Sequence, residues 1–367
     1  MHRVALLTAV VATALTGLTA LPAQASTPVE RALVVVDPGT GAYELHNRTA
    51  PNGSIGSSLT APDTDVDEVA TSADGSRVAT IESVYDAQDN PSYQRVVVRD
   101  VSGRLVRTLD TYPYDGNPSN GFSAVALSPD GTQAVWTRSP DYALRTAFVG
   151  AGAPSTVLGG SLANTAFVDD TTLLGFQYGL GWHTDLVGGG TTVPATGIPD
   201  LLYAFAVSPD HTHVAWTQES SPGAGTYRLY SATLTVTPGS GPSSVAVTAP
   251  LLLAQGFPDT PAFSQDGTWV YYVDGETSGA LRRVPTNGGA GSTAVDASSI
   301  GDVVDVALGA TDDGTAPGTA TPLPAAVSAT AATVHWALPA DTDLSGVIVY
   351  RQLGGTTQRS AYVPAPL

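Results

Sequence analysis

Five stretches of this chain set an aspartate in the same local context. They read VATSADGSRVAT (Val69–Thr80), VALSPDGTQAVW (Val125–Trp136), TAFVDDTTLLGF (Thr165–Phe176), FAVSPDHTHVAW (Phe205–Trp216) and PAFSQDGTWVYY (Pro261–Tyr272). The aspartates are Asp74, Asp130, Asp170, Asp210 and Asp266. Such carboxylates can do one of two things. They can ligate a hard cation, which needs about six to eight oxygens converging on one point. Or each can bond the backbone of its own turn, as aspartate does beside proline and glycine. Each copy offers one reference aspartate, and the copies lie 56, 40, 40 and 56 residues apart. We therefore assign these aspartates a structural role in turns and expect no metal site.

Other chemistry-bearing residues are sparse. Cysteine is absent, which excludes disulfides, zinc–thiolate sites and a catalytic thiol. The closest approach to a G-x-S-x-G nucleophile elbow, Gly159-Gly160-Ser161-Leu162-Ala163, ends in alanine. His211 and His213 stand at alternate positions, a spacing that puts two imidazoles on one face of a strand. Two imidazoles alone make an incomplete site, so an exposed turn is the expectation there. No cofactor motif is present, and none is expected.

The repeats themselves say which elements hold these residues. A short apolar run precedes each aspartate and another follows it, so each copy reads as strand–turn–strand. An alanine stands four residues before each aspartate: Ala70, Ala126, Ala166, Ala206 and Ala262. A small side chain there lets neighbouring sheets approach. A second hairpin follows the first, as in Arg95–Leu109 and Ala280–Val295. Four strands in a period of roughly 40 residues describe one blade of a β-propeller. The ends complete the pattern. Ala32–Leu45 reads as a second hairpin lacking its first, and Asp302–Gly314 as a first strand lacking a second hairpin, with Ala307 in the alanine position. Joined, they make a sixth blade shared by both ends of the array; a divergent copy of the motif would add a seventh. The expected fold is all-β, a six-bladed propeller of four-stranded antiparallel blades closed by N- and C-terminal strands, followed by a partial β-sandwich. The Ser-Pro-Asp-Gly units resemble those of TolB-like six-bladed propellers, over 31–312. That resemblance implies a fold more than an activity, because propellers host many unrelated functions.

In such a ring the turns inside the first hairpins open on one face, and the remaining inter-hairpin and inter-blade loops open on the other. That second face collects Tyr85, Tyr93, Tyr112, Tyr114, Tyr142, Tyr178, Trp182, His183, Tyr203 and Asp259. Aromatic rings among polar groups suit a glycan or a peptide. We assign these ten residues as the candidate ligand-binding set.

Composition bounds the partners. Asp and Glu number 33 against 15 arginines, a formal charge of −18, which disfavours nucleic acid and anionic lipid surfaces. Residues 1–25 read as a secretory leader: Arg3, an apolar run, and Ala23-Gln24-Ala25 as a small-x-small cleavage site. No other stretch is long and apolar enough for membrane insertion. Export to the cell envelope or medium follows, as a monomer. A Thr-, Ala- and Pro-rich linker spans 313–324. Residues 325–367 resemble the front half of a fibronectin type III module, with Trp336 and Tyr350 in its second and third strands. Half a sandwich leaves a face bare, so we expect truncation. The functional expectation is a non-enzymatic binding or scaffolding protein without a catalytic residue. The alternatives are an extracellular polysaccharide- or peptide-degrading enzyme, with carboxylates together with Tyr178, Trp182 and His183 doing the acid–base work, and an accessory to envelope transport.

Overall fold

A computed structural model of the chain describes residues 29–312 apart from 40–42, 51–54, 74, 89, 101–102, 118–119, 141–142, 151–155, 159–162, 178–180, 188–191, 200–201, 240, 278, 290, 292 and 297–300. It also describes 5–9, 321–327, 332–337, 346–353 and 356–364. The chain divides into two units, one spanning 30–310 and the other 1–29 with 311–367.

The first unit holds six four-stranded sheets. From the innermost strand outward, blade 1 is Thr64–Thr71, Arg77–Tyr85, Pro91–Asp100 and Leu105–Pro113. Blade 2 is Gly121–Leu127, Gln133–Ser139, Ala143–Phe148 and Thr156–Leu158. Blade 3 is Ala163–Phe167, Thr172–Gln177, Gly181–Leu186 and Val193–Pro194. Blade 4 is Ala204–Val207, His213–Glu219, Tyr227–Thr237 and Ser244–Gly256. Blade 5 is Pro258–Phe263, Trp269–Asp274, Ala280–Pro285 and Thr293–Asp296. Blade 6 takes its innermost strand, Asp302–Asp312, from the far end of the array and the other three, Val29–Asp37, Glu44–Ala50 and Ile55–Ser58, from the near end. The shared blade thus exists, with a division of one strand against three. Ala32–Leu45 straddles its second and third strands instead of forming a closing hairpin.

Six apolar clusters sit between successive blades and close the ring. Leu33, Val35, Val66 and Val78 join blades 6 and 1, and Ala79, Val96, Val125 and Trp136 join 1 and 2. Ala126, Val135, Phe167 and Leu173 join 2 and 3, and Leu174, Trp182, Val214 and Trp216 join 3 and 4. Ala215, Leu229, Phe263 and Val270 join 4 and 5, and Val34, Ala262, Tyr271 and Val306 join 5 and 6. The repeated alanine has its reason here. Ala126, Ala206 and Ala262 each pack into the interface with the following blade, where a larger side chain would hold the sheets apart.

The repeated aspartate also has its reason. In blades 2, 4 and 5 the Ser128, Ser208 and Ser264 hydroxyls donate to Asp130, Asp210 and Asp266 at 2.6, 2.6 and 2.7 Å. The amides of Thr132, Thr212 and Thr268 donate to the same carboxylates at 3.0, 3.1 and 3.0 Å. Each serine oxygen in turn accepts an amide at 2.9 Å, from Gln133, His213 and Trp269. The turn is closed by its own side chains. The next position has a left-handed backbone, held by Gly131 and Gly267 and, at φ 57°, by His211. Asp74 lies outside the described residues. Blade 3 corrects the alignment: there Asp169, not Asp170, accepts the amides of Thr171 and Thr172 at 2.8 and 2.7 Å. Asp170 instead accepts the backbone amide of Asp130 from blade 2.

In the second unit, Thr321–Val327 pairs antiparallel with Ala332–Ala337, and Gly346–Leu353 pairs antiparallel with Thr356–Pro364. Ala5–Ala9 adds a parallel strand to the latter sheet. The strand at Thr321 begins inside the span read as a linker.

Candidate functional site

The innermost strand of each blade is a sheet edge, so its outer row of backbone N–H and C=O groups has no ladder partner. All six such strands line one axial cavity of about 220 Å³. Its wall runs from the level of Val69, Val125, Thr165, Phe205, Pro261 and Val306 to the turns, where His211 stands beside it. Burial lowers the His211 imidazole, against the pull of the Asp169, Asp170 and Asp210 charges. His213 is bonded instead to the Thr212 hydroxyl at 2.8 Å. Among the described residues no three His, Asp or Glu side chains converge as a metal site.

Above the cavity, on the loop face, the inner strands of blades 1, 2, 3 and 5 each carry a β-bulge, near Asp67, Ala124, Asn164 and Thr260. A bulge frees amides and re-aims side chains at the rim of a ring. Carboxylates take up those amides across blade boundaries. Glu68 of blade 1 accepts the Val125 amide of blade 2 at 3.1 Å, and Asp305 of blade 6 accepts the Val69 amide of blade 1 at 3.2 Å. Asp305 also accepts the Val306 amide at 2.7 Å. Burial, reinforced by the Glu68 charge, pushes the Asp305 carboxyl up to about 8. Burial likewise raises Glu68 and Asp259. The mouth of the axis is therefore lined by carboxyl groups, with burial favouring the protonated form of Asp305 most strongly.

Around this mouth the loop face presents aromatics in two groups. One surrounds Asp65 and Asp67 on blades 6, 1 and 2. The Asp65 carboxylate accepts the Tyr43 amide at 3.2 Å and the Tyr85 hydroxyl. Burial, that bond and the nearby carboxylates push the Tyr85 phenol up to about 12. Tyr114 stands near and is 41% exposed. Tyr112 bonds Asp115 at 2.9 Å, and Arg138 lies 4.8 Å from the centre of its ring. Tyr93 ends the same blade, half-buried and paired across the sheet with Val84 and Pro113. The second group lies on blades 4 and 5. Tyr203, 60% exposed, meets Tyr227 at 5.1 Å between ring centroids, with Phe257 and Asp259 following on the next loop and strand.

Two members of the sequence-derived set do not belong on this surface. Trp182 is buried against Phe205 at 4.9 Å and Phe176 at 5.7 Å, and its Nε1 donates to the Pro199 carbonyl at 2.8 Å. His183 is 1% exposed, with Nε2 3.2 Å from Asp185 and Nδ1 2.9 Å from the Gly181 carbonyl. Both sit in the third strand of blade 3 and are core residues: Trp182 packs in the interface with blade 4, and His183, the next residue, is on the opposite face of the sheet. Tyr142 and Tyr178 lie outside the described residues. Tyr43 and Tyr227 were missed. Tyr43 belongs to the shared blade, whose strand order was misassigned, and Tyr227 opens a strand after a loop without other aromatics. The opposite face has one large exposed aromatic among the described residues, Phe148.

The ring of six sheets, its six interfaces and its axial cavity define a β-propeller. No protein-family model matches the chain, and no curated protein matches it in sequence. Solved structures similar to it include a chain from a nidogen/laminin complex, with 10% identity over 76% of this chain and 98% of that one, at a TM-score of 0.48. A functionally unknown protein from Desulfotomaculum acetoxidans shares 14% identity over 77% of this chain and 99% of its own, at 0.46. A periplasmic gluconolactonase of Pseudomonas aeruginosa shares 14% over 78% and 100%, at 0.43. The fold stands on the sheets and interfaces described above, and these likenesses add no activity to it.

Proposed function

We propose that the protein is an exported, non-enzymatic binding or scaffolding protein whose propeller is of the TolB-like type and whose ligand, a glycan or a peptide, docks on the aromatic loop face. The observation that carries this reading is the exposure of Tyr43, Tyr114, Tyr203 and Phe257 on that one face, beside carboxylates around the axis. Rings that remain open to water in the free protein offer stacking area at low ordering cost. The burial of Trp182 and His183 weakens the acid–base alternative built on them. Export rests on the leader at 1–25. Its cleavage near Ala25 removes Ala5–Ala9, and with it the outer strand of the sheet at Gly346–Leu353. The fibronectin-like reading of 325–367 rests on Trp336 and Tyr350 alone.

The test is retention of the full chain on immobilised pools of polysaccharides and of peptides, with mass spectrometry of the supernatant for turnover. Retention without new products, reduced by Tyr114→Ala or Tyr203→Ala, supports the reading. New products, or retention indifferent to both substitutions, overturns it. N-terminal sequencing of the exported protein checks the leader: a chain that still begins at Met1 refutes cleavage.

A further inference from the structure

Blade 4 meets blade 5 on the loop face with exposed rings and a carboxylate that joins no ion pair among the described residues. Tyr203 ends the loop into the inner strand of blade 4, and its amide is fixed by the Thr217 carbonyl at 2.9 Å. Tyr227 opens the third strand of that blade, opposite Gly256 in the ladder, so Phe257 follows beside it. The two tyrosine rings are tilted by 51° at 5.1 Å. Two residues beyond Phe257 comes Asp259, whose Oδ1 accepts the Thr260 amide at 2.8 Å. Among the described residues no ion pair includes Asp259. The Asp259 and Glu219 charges both reach the Tyr227 phenol and, after its burial, help to hold it above its usual range. Thr260 adopts φ 39°, a left-handed backbone that a β-branched side chain rarely takes, and its Oγ1 is buried without a hydrogen-bond partner. Strain of this kind persists where the surroundings fix it, commonly at binding sites.

Negative charge beside aromatic faces selects a cation. The molecule already uses this chemistry internally: Arg138 lies 4.8 Å from the Tyr112 ring centre, and Arg283 lies 4.2 Å from that of Trp269. Building on the proposed binding role of the loop face, we infer that Tyr203, Tyr227 and Asp259 form a subsite for a cationic side chain, arginine or lysine, of a peptide ligand. The guanidinium or ammonium group stacks on the exposed Tyr203 ring and pairs with the Asp259 carboxylate. The formal charge of −18 complements such a ligand and speeds its encounter.

The experiment is calorimetric titration of the full chain with arginine-containing hexapeptides and with the same peptides carrying citrulline, which keeps the shape and removes the charge. The arginine peptides bind, and the citrulline peptides bind at least about tenfold more weakly. Tyr203→Ala and Asp259→Asn each weaken arginine-peptide binding about three- to thirtyfold, the range of a cation–aromatic contact, while Tyr203→Phe keeps it. Circular dichroism and the melting midpoint of each variant match the wild type. Equal affinity for the citrulline peptides overturns the subsite and leaves the binding face standing. Arginine-peptide binding that ignores both substitutions overturns it too, and assigns the affinity to overall charge. Retention only on the polysaccharide pool also overturns it, with the loop face then reading glycans. No retention on any pool removes the binding role itself.

Discussion

Glu82 lies on the second strand of blade 1 with a fully buried side chain, a place where an ionised carboxylate survives only if it is well paired. It is. Arg99 donates through Nε and Nη2 at 2.8 and 3.0 Å, Arg95 through Nε at 2.9 Å, and the Thr80 hydroxyl at 2.8 Å. The Arg99 and Arg95 side chains are themselves only 10% and 21% exposed. Burial works to raise the Glu82 carboxyl, but the bonds and charge of Arg99, with Thr80 and Arg95, outweigh it and hold it below its ordinary range. Removing one partner of such a group strands the other charges in protein. Glu82→Ala is expected to cost about 3 kcal/mol, the lower end of the range for broken buried pairs, because Arg95 retains some access to water. With a urea slope of about 3 kcal/mol per molar for a ring of this size, the unfolding midpoint falls by about 1 M. A group whose folded pKa is depressed contributes stability above its unfolded pKa and loses it as the pH falls through the folded value. The gap between wild type and variant is therefore full at neutral pH and narrows as the pH falls below the ordinary glutamate value of 4.5 and through the depressed folded value. Urea titrations of the full chain, followed by tryptophan fluorescence at neutral and acid pH, measure both. A neutral-pH loss under about 1 kcal/mol, or a gap that persists unchanged in acid, would refute the argument that the ionised carboxylate organises this blade.

Asp305 has the opposite sign. Its folded pKa is raised from the ordinary 3.8 to about 8, so the folded state holds a proton that the unfolded chain releases, and stability drops as the pH rises through that window. Asp305→Asn is expected to flatten this decline between the ordinary value of 3.8 and about 8 in a series of chemical denaturations; an unaltered slope would place the titration elsewhere. In blade 3, Asp169→Ala loses two amide bonds and the Ser243 hydroxyl bond at 2.8 Å from blade 4, for about 2 kcal/mol, whereas Asp170→Ala costs less. Equal melting shifts would contradict the assignment of Asp169 to the turn. Trp182→Ala should cost about 3–5 kcal/mol as a core truncation and reduce ligand retention only in proportion to the folded fraction. A folded Trp182→Ala variant that had lost retention would return this residue to the binding surface.

Much of the ring was legible in the residues because a propeller repeats one local solution. The Ser-Pro-Asp-Gly turn closes through bonds among six consecutive residues, so its sequence marks its structure wherever it recurs. The alanine before it is fixed by the neighbouring sheet in blades 1, 2, 4 and 5, and repetition made it visible. Blade 3 was misread by one residue because Val168-Asp169-Asp170-Thr171 offers two aspartates to one local role. Only the partners resolve which carboxylate faces the turn amides and which faces blade 2. The shared blade was foreseen from its two incomplete ends, yet its division into one strand and three depends on pairing between segments about 270 residues apart, on which local pattern is silent.

The candidate site was much less legible. Sequence determined that aromatic residues would gather in the loops of one face, because strand alternation and turn position fix which end of a strand a residue occupies. Whether a ring at that end points to water or into the interface with the next blade is decided by the blade beside it. Trp182 and Tyr203 are both aromatic residues near the loop face of blades 3 and 4. One fills the gap between sheets and the other is 60% exposed, because only the first has Phe176 and Phe205 to bury it. The acidic mouth was hidden for the same reason. Glu68 and Asp305 are far apart in the chain and acquire their burial, their cross-blade amides and their shared proton affinity only when the ring closes.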